Sequence, residues 1–275
     1  MSTLNRLAPR TALFMPASNP RAIEKARDLD VDLVILDLED AVRADAKDSA
    51  RAAALDAVAE PFGASLSAIR LNAIGTPWHQ ADVAAVAESA CDYAVLPKTE
   101  SAEDARRIAA ATGKPLLVMI ETPVGLVAAT DIARTPGVAG LITGSNDLRA
   151  ELGIPPVAGR AGLALALQMI VLAARVGGVW AIDGVFNALD DGQGFAKECR
   201  HGRSLGFDGK SLIHPYQIAI ATKEFGPTEQ ELAEARELIA AFTGGAERFR
   251  DRMIEVMHVD QARALLARTG EETEA

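Results

Sequence analysis

The strongest constraint on the fold is the stretch Leu116-Leu117-Val118-Met119-Ile120-Glu121-Thr122-Pro123. Five apolar residues lead straight into a carboxylate, which is followed at once by a helix start, with Thr122 as N-cap and Pro123 at the first helical position. A strand this apolar is buried on both faces, as strands of parallel sheets are. In parallel α/β folds the working groups stand where a strand ends and its helix begins, and Glu121 stands at such an end. On its own it reads equally well as a helix cap, so its meaning depends on what the other strands end in.

The same unit repeats along the chain. Strands are expected near residues 11–15, 31–38, 68–71, 93–96, 116–120, 139–143, 179–182 and 207–213, each followed by a helix-like segment. Eight strand-then-helix units without a change of composition specify an α/β fold, a (β/α)8 TIM barrel, with extra C-terminal helices. A doubly wound open sheet is the rival, but Met15-Pro16-Ala17-Ser18 lacks the Gly-rich first turn of that class. The domain reading is a catalytic barrel over 1–225 and a helical extension over 226–275, with helices near 228–242 and 246–267. That tail looks too poor in apolar residues for a core of its own, and is expected to serve as a lid on a neighbouring subunit.

A net charge of −10 excludes a nucleic-acid surface, which needs clustered Lys and Arg. Two cysteines, Cys91 and Cys199, form no C-x-x-C pair and so no cysteine zinc site. Residues 1–6 lack a signal-peptide core, and no uncharged apolar run reaches membrane-spanning length; a cytoplasmic protein without a membrane partner is expected.

A barrel gathers its strand ends on one face. Here they carry Pro16; Asp37, Glu39 and Asp40; Arg70 and Asn72; Pro97 and Lys98; Glu121; Asp147; Asp183; and His214. Each has a plainer reading alone: Glu39 or Asp40 caps a helix, Lys98 pairs with one of them, Asp183 fixes a loop, His214 packs in a turn. Glu121 and Asp147, at adjacent strand ends with no His or Cys beside them, suit a hard cation such as Mg²⁺, which takes one or two carboxylates and leaves room for water and substrate oxygens. At the Asn19-Pro20 helix start, Arg21 and Lys25 lie one turn apart and are candidates for binding a pyrophosphate group, or are simply solvated cations.

The runs Leu13-Phe14-Met15-Pro16, Leu36-Asp37-Leu38-Glu39-Asp40, Arg70-Leu71-Asn72, Leu96-Pro97-Lys98, Ile120-Glu121-Thr122, Asp147-Leu148, Gly206-Phe207-Asp208-Gly209-Lys210 and Ile213-His214-Pro215 resemble the citrate lyase β-subunit-like family of the HpcH/HpaI aldolase superfamily, in unbroken order from residue 13 to 225. The resemblance implies a Mg²⁺-dependent homotrimeric lyase that cleaves a 3-hydroxyacyl thioester of CoA or of an acyl carrier. It implies Glu121 and Asp147 as metal ligands, Arg70 as the arginine that binds substrate, and Glu39 and Asp40 as acids around the metal waters. Where the family carries Met-Ile-Asp, with the aspartate as catalytic acid on a lid, this chain reads Met253-Ile254-Glu255, which makes Glu255 the candidate acid. The alternatives are a citrate lyase β-subunit acting on a citryl-acyl-carrier thioester, a Mg²⁺-dependent pyruvate-type aldolase, a Schiff-base aldolase using Lys98, and a scaffold that lost its activity through Glu255.

Overall fold

The computed structural model describes residues 7–269, so the N-terminal hexapeptide read above lies outside the described residues. The chain divides into two compact units, with the division between Phe225 and Gly226.

In the first unit, eight parallel strands close into a barrel in sequential order: β1 (Thr11–Pro16), β2 (Leu33–Asp37), β3 (Leu66–Arg70), β4 (Tyr93–Leu96), β5 (Leu116–Ile120), β6 (Val138–Thr143), β7 (Trp180–Asp183) and β8 (Gly209–Leu212). The pairing of β1 with β8 removes the open edges that a doubly wound sheet would keep. The intervening helices are α1 (Pro20–Ala26), α2 (Lys47–Val58), α3 (His79–Glu88), α4 (Ala102–Thr112), α5 (Pro123–Ala133), α6 (Ser145–Glu151), α7 (Ala164–Gly177), α8 (Gly192–Leu205) and α9 (Gln217–Phe225). Capping starts them where the side chains allow: Thr122 Oγ1 accepts from Gly125 N at 3.0 Å, Ser101 Oγ from Asp104 N at 3.0 Å, and Asp191 Oδ1 from Gly194 N at 2.8 Å.

Strand alternation builds two cores. Ala12, Leu33, Ile35, Ala68, Leu117, Ile142 and Ile182 fill the barrel, and Leu13, Val34, Leu36, Ile69, Val118, Ile120 and Leu141 pack outward against the helices. The sixth crossover is the long one, with α6, a 3-10 segment at Pro156–Leu163 and α7 in place of a single helix. Two arginines tether it: Arg149 Nη1 donates to the carbonyl of Gly159 at 2.7 Å, and Arg160 Nη2 forms an ion pair with the fully buried Asp183 at 2.9 Å. Asp183 therefore fixes a loop, and Lys210, also fully buried, completes the cluster at 2.9 Å from Asp183 and 2.8 Å from Glu198.

Residues 156–177 form a helical stretch long and apolar enough to cross a membrane, contrary to the expectation from sequence. Its apolarity has another cause. Leu167, Ile170, Val171 and Ala174 are buried in the outer barrel core, the backbone breaks at Gly159, and Arg160 and Arg175 interrupt the run.

The second unit comprises α10 (Glu229–Ala241), a two-stranded hairpin of β9 (Glu247–Phe249) and β10 (Arg252–Ile254), and α11 (Val256–Ala267). Two expectations are corrected here. The stretch read as helix from 246 contains this hairpin, and the tail has its own core: Leu232, Leu238, Phe249, Ile254, Val259 and Leu266 bury against one another. The strands are three residues each, too short to show a period-2 pattern, and their pairing is held by packing rather than propensity.

Candidate functional site

The C-terminal ends of the strands surround a cavity of about 400 Å³ in the first unit, lined among others by Asp40, Arg70, Glu121 and Asp147. Each arrives from a different segment. Arg70 ends β3, Glu121 follows β5, Asp147 lies in the first turn of α6, and Asp40 is in the loop after β2.

Arg70 is held by a residue to which the sequence assigned no role. Asp37 takes Nε at 2.7 Å and Nη2 at 2.6 Å, a bidentate pair of buried groups, and the same carboxylate accepts from Glu39 N at 2.8 Å and Ala41 N at 3.0 Å. The third nitrogen, Nη1, is ion-paired with Glu39 Oε2 at 3.0 Å and donates to Met119 Sδ at 3.6 Å, and the guanidinium lies 5.1 Å from the centroid of the Phe14 ring. Burial acts against the Arg70 charge, but its hydrogen bonds to Asp37 and the charges of Asp37, Glu39 and Glu121 outweigh it and raise its pKa.

Glu39 is only 5% exposed and does not line the cavity; it pairs with Arg70 and with Lys98 Nζ at 3.2 Å. Lys47 Nζ pins this loop from below, donating to Leu38 O at 2.7 Å and Glu39 O at 2.6 Å. Burial raises the Glu39 pKa, opposed by Arg70 and reinforced by Asp40. Lys98 does not have the depressed pKa of a Schiff-base amine: burial would lower it, but Glu39, Asp40 and Glu121 together raise it.

Glu121 is 1% exposed. Its Oε1 accepts from the backbone N–H of Lys98 at 2.7 Å, a bond aimed by the left-handed Lys98 backbone, φ +47°, which costs a non-glycine residue on the order of 1 kcal/mol. Its Oε2 is buried without a partner. Burial, then the charge of Glu39, pushes the carboxyl up to about 7 against the pull of Lys98 N–H and Arg70. An unpartnered carboxylate oxygen beside a second acid is what a hard cation needs from the protein. Glu121 and Asp147 could hold such an ion; among the described residues no group of three or more His, Cys, Asp or Glu could.

Gly144 makes the room for this side chain. A Cβ there would lie 2.2 Å from Glu121 Cβ and 2.3 Å from Oε2. Gly144→Ala is therefore expected to push the carboxylate out of place and to cost about 1–3 kcal/mol by overpacking. Thermal melting checks this, and an unchanged midpoint would show that the cavity absorbs the methyl group.

Three further lining residues went unread in the sequence. Asn146 and Asn187 exchange amide hydrogen bonds at 3.3 and 2.8 Å and tie the first turn of α6 to the loop after β7. The third, Ser211, did leave a signal, a polar Lys210-Ser211 pair inside a strand buried along its whole length. Arg21 and Lys25 lie exposed on α1 and do not line the cavity, and Glu255 is exposed at the N-cap of α11 in the second unit, its N–H donating to His258 Nδ1 at 3.0 Å.

Comparison with known proteins places this geometry. The chain is 40% identical over 268 residues to a (3S)-malyl-CoA thioesterase of Cereibacter sphaeroides, covering 94% of each protein, and 32% identical to the citrate lyase subunit beta of Escherichia coli, covering 94% of this chain and 92% of the other. Among solved structures it is similar to CitE of Mycobacterium tuberculosis in complex with magnesium, acetoacetate and coenzyme A, with a TM-score of 0.84 at 34% identity over 96% of this chain and 99% of that one. The HpcH/HpaI aldolase/citrate lyase model matches residues 10–215, all but the first few residues and the last helix of the barrel, and with relatives aligned almost end to end the chain belongs to that family.

Proposed function

We propose that this protein is a Mg²⁺-dependent carbon–carbon lyase that cleaves a short 3-hydroxyacyl-CoA thioester of malyl or citramalyl type into a keto acid and an acyl-CoA. The observation that carries this reading is the partnerless Oε2 of buried Glu121, in a cavity shared with Asp147 and Arg70. The magnesium and coenzyme A bound in the CitE relative support the cofactor and the substrate class.

Cleavage requires that the substrate hydroxyl lose a proton, that the carbon–carbon bond break with its electron pair passing to the thioester as an enolate, and that an acid then protonate the enolate carbon. Bound between Glu121 and Asp147, Mg²⁺ would acidify the hydroxyl and offset the charge of the keto-acid carboxylate. Asp40, an exposed carboxylate lining the cavity, is the base proposed to accept the hydroxyl proton. Arg70, fixed by Asp37 through Nε and Nη2, is the cation proposed to stabilise the enolate oxygen, with its Nη1 shared between that oxygen and Glu39, which balances the arginine's charge. Glu255, exposed at the start of α11, is the acid proposed to reach a neighbouring copy's cavity in a homotrimer.

Arg21 and Lys25 are proposed for the CoA phosphates. Reversing both charges, Arg21→Glu with Lys25→Glu, is expected to raise KM for the acyl-CoA about 10-fold at low salt, with little change in kcat and a smaller effect at high ionic strength. A KM that is equally unaffected at low and high salt would place the phosphates elsewhere.

A second reading is thioester hydrolysis, favoured by the 40% identical relative of that name. The two separate in one assay of malyl-, citramalyl- and citryl-CoA with Mg²⁺ or with chelator. A lyase releases a keto acid and leaves an acyl-CoA, whereas a thioesterase releases free thiol and leaves the hydroxy acid intact. Turnover of an acyl-carrier thioester alone would favour the citrate lyase β-subunit role.

A further inference from the structure

We infer that Ser211 is a substrate-binding residue whose hydroxyl donates to the carboxylate of the keto-acid half of the substrate, an inference that rests on the lyase reading above. Among the described residues, the buried side-chain atoms without a hydrogen-bond partner are Glu39 Oε2, Arg51 Nη2, His79 Nε2, Glu121 Oε2, Thr143 Oγ1, Ser211 Oγ and Arg263 Nε. Three of these seven belong to residues lining the one cavity: Glu121, Thr143 and Ser211. Buried polar atoms are nearly always paired, so three partnerless ones around one cavity mark where a polar ligand completes the bonding.

Thr143 and Ser211 differ in direction. Thr143 shares the alternation of Leu141, which packs outward against the helices. Ser211 alternates the other way. Its neighbour Lys210 turns out to Asp183 and Glu198, its neighbour Leu212 packs in the outer core, and its register partner is Ala12, a barrel-interior residue. The Ser211 hydroxyl, 1% exposed, thus faces the interior beside the apolar Ala12 and Phe14, where the protein supplies no acceptor.

The order around the rim indicates which part of the substrate meets it. Arg70 is on β3, Glu121 follows β5, Asp147 follows β6, and Ser211 is on β8. A substrate with its thioester at Arg70 and its hydroxyl between Glu121 and Asp147 extends its remaining group, the carboxylate, toward β7 and β8. The cavity is otherwise rich in acids, with Asp37, Asp40, Glu121 and Asp147 against Arg70, and a neutral donor can hold an anion there without adding charge.

The test uses the full chain with Mg²⁺ and titrates two dead-end ligands, pyruvate and CoA, by calorimetry. A hydrogen bond to a charged group predicts that Ser211→Ala binds pyruvate about 10-fold or more weakly while CoA binding is unchanged, and that Ser211→Thr, which keeps the hydroxyl, stays within a few-fold of the wild type. Ligand-free Ser211→Ala should melt no lower than the wild type, since it loses a hydroxyl that had no partner. Wild-type affinity for pyruvate in Ser211→Ala, or a clear drop in its melting temperature, overturns the role of Ser211 and leaves the lyase reading standing. Failure of the wild type itself to bind either pyruvate or glyoxylate with Mg²⁺ overturns both.

Discussion

Glu121→Gln is expected to abolish turnover and, in metal-free protein, to raise the melting temperature at neutral and alkaline pH. Loss of one of two carboxylates from a hard-cation site removes charge stabilisation of several kcal/mol, which is on the order of 10²- to 10³-fold or more in rate. The stability effect follows from burial. The folded carboxyl is pushed up to about 7 from an ordinary 4.5, chiefly by burial and then by Glu39. The native state therefore holds a proton that the unfolded chain gives up earlier. The stability this contributes is fully present below about pH 4.5 and is lost as the pH climbs through about 7. On that basis the metal-free wild type should lose about 2–3 kcal/mol across the interval relative to Glu121→Gln, whose amide does not titrate. Melting curves in chelator at pH 5, 6, 7 and 8 check it. Parallel pH dependences of the two proteins would show that Glu121 titrates as an ordinary carboxyl.

Arg70→Lys should lower kcat about 10²-fold or more, the loss expected when a fixed donor to a developing oxyanion is removed. A lysine ammonium is a point charge and cannot span both Asp37 oxygens, now held at 2.7 and 2.6 Å, while also meeting Glu39 at 3.0 Å. Part of the Asp37 carboxylate, 1% exposed, would lose its partner, at a further cost of about 1–3 kcal/mol in stability. The two effects separate: steady-state kinetics reads the first and melting the second. A stability loss with kcat intact would reduce Arg70 to a structural partner of Asp37.

The strand ends were legible because the apolar runs are long and punctuated by strong caps. Thr122-Pro123 and Ser101 start helices where the side chains predict, and closure of the barrel then brings Arg70, Glu121 and Asp147 together without any local signal linking them. What the sequence hid depends on tertiary packing. Nothing local distinguishes Glu39 from Asp40, yet the first is drawn under Arg70 and Lys98 while the second stays exposed in the cavity. Asp37, read only as one more strand-end acid, orients the arginine. The β9–β10 hairpin escapes detection because Glu247 to Ile254 has no period-2 pattern long enough to see, and what holds it is tertiary: Phe249 and Ile254 pack with α10 and α11 residues, and Arg250 and Arg252 pair with Glu237 and Glu234 of α10.

The central claim, that Glu121 and Asp147 together hold the ion on which the site depends, is tested most directly by calorimetric titration of Mg²⁺ in the presence of pyruvate into the wild type, Glu121→Gln and Asp147→Asn. One site per chain in the wild type, absent or weakened by at least about 10-fold in each variant while both remain folded, is the predicted result. Wild-type Mg²⁺ binding retained in either variant would contradict it.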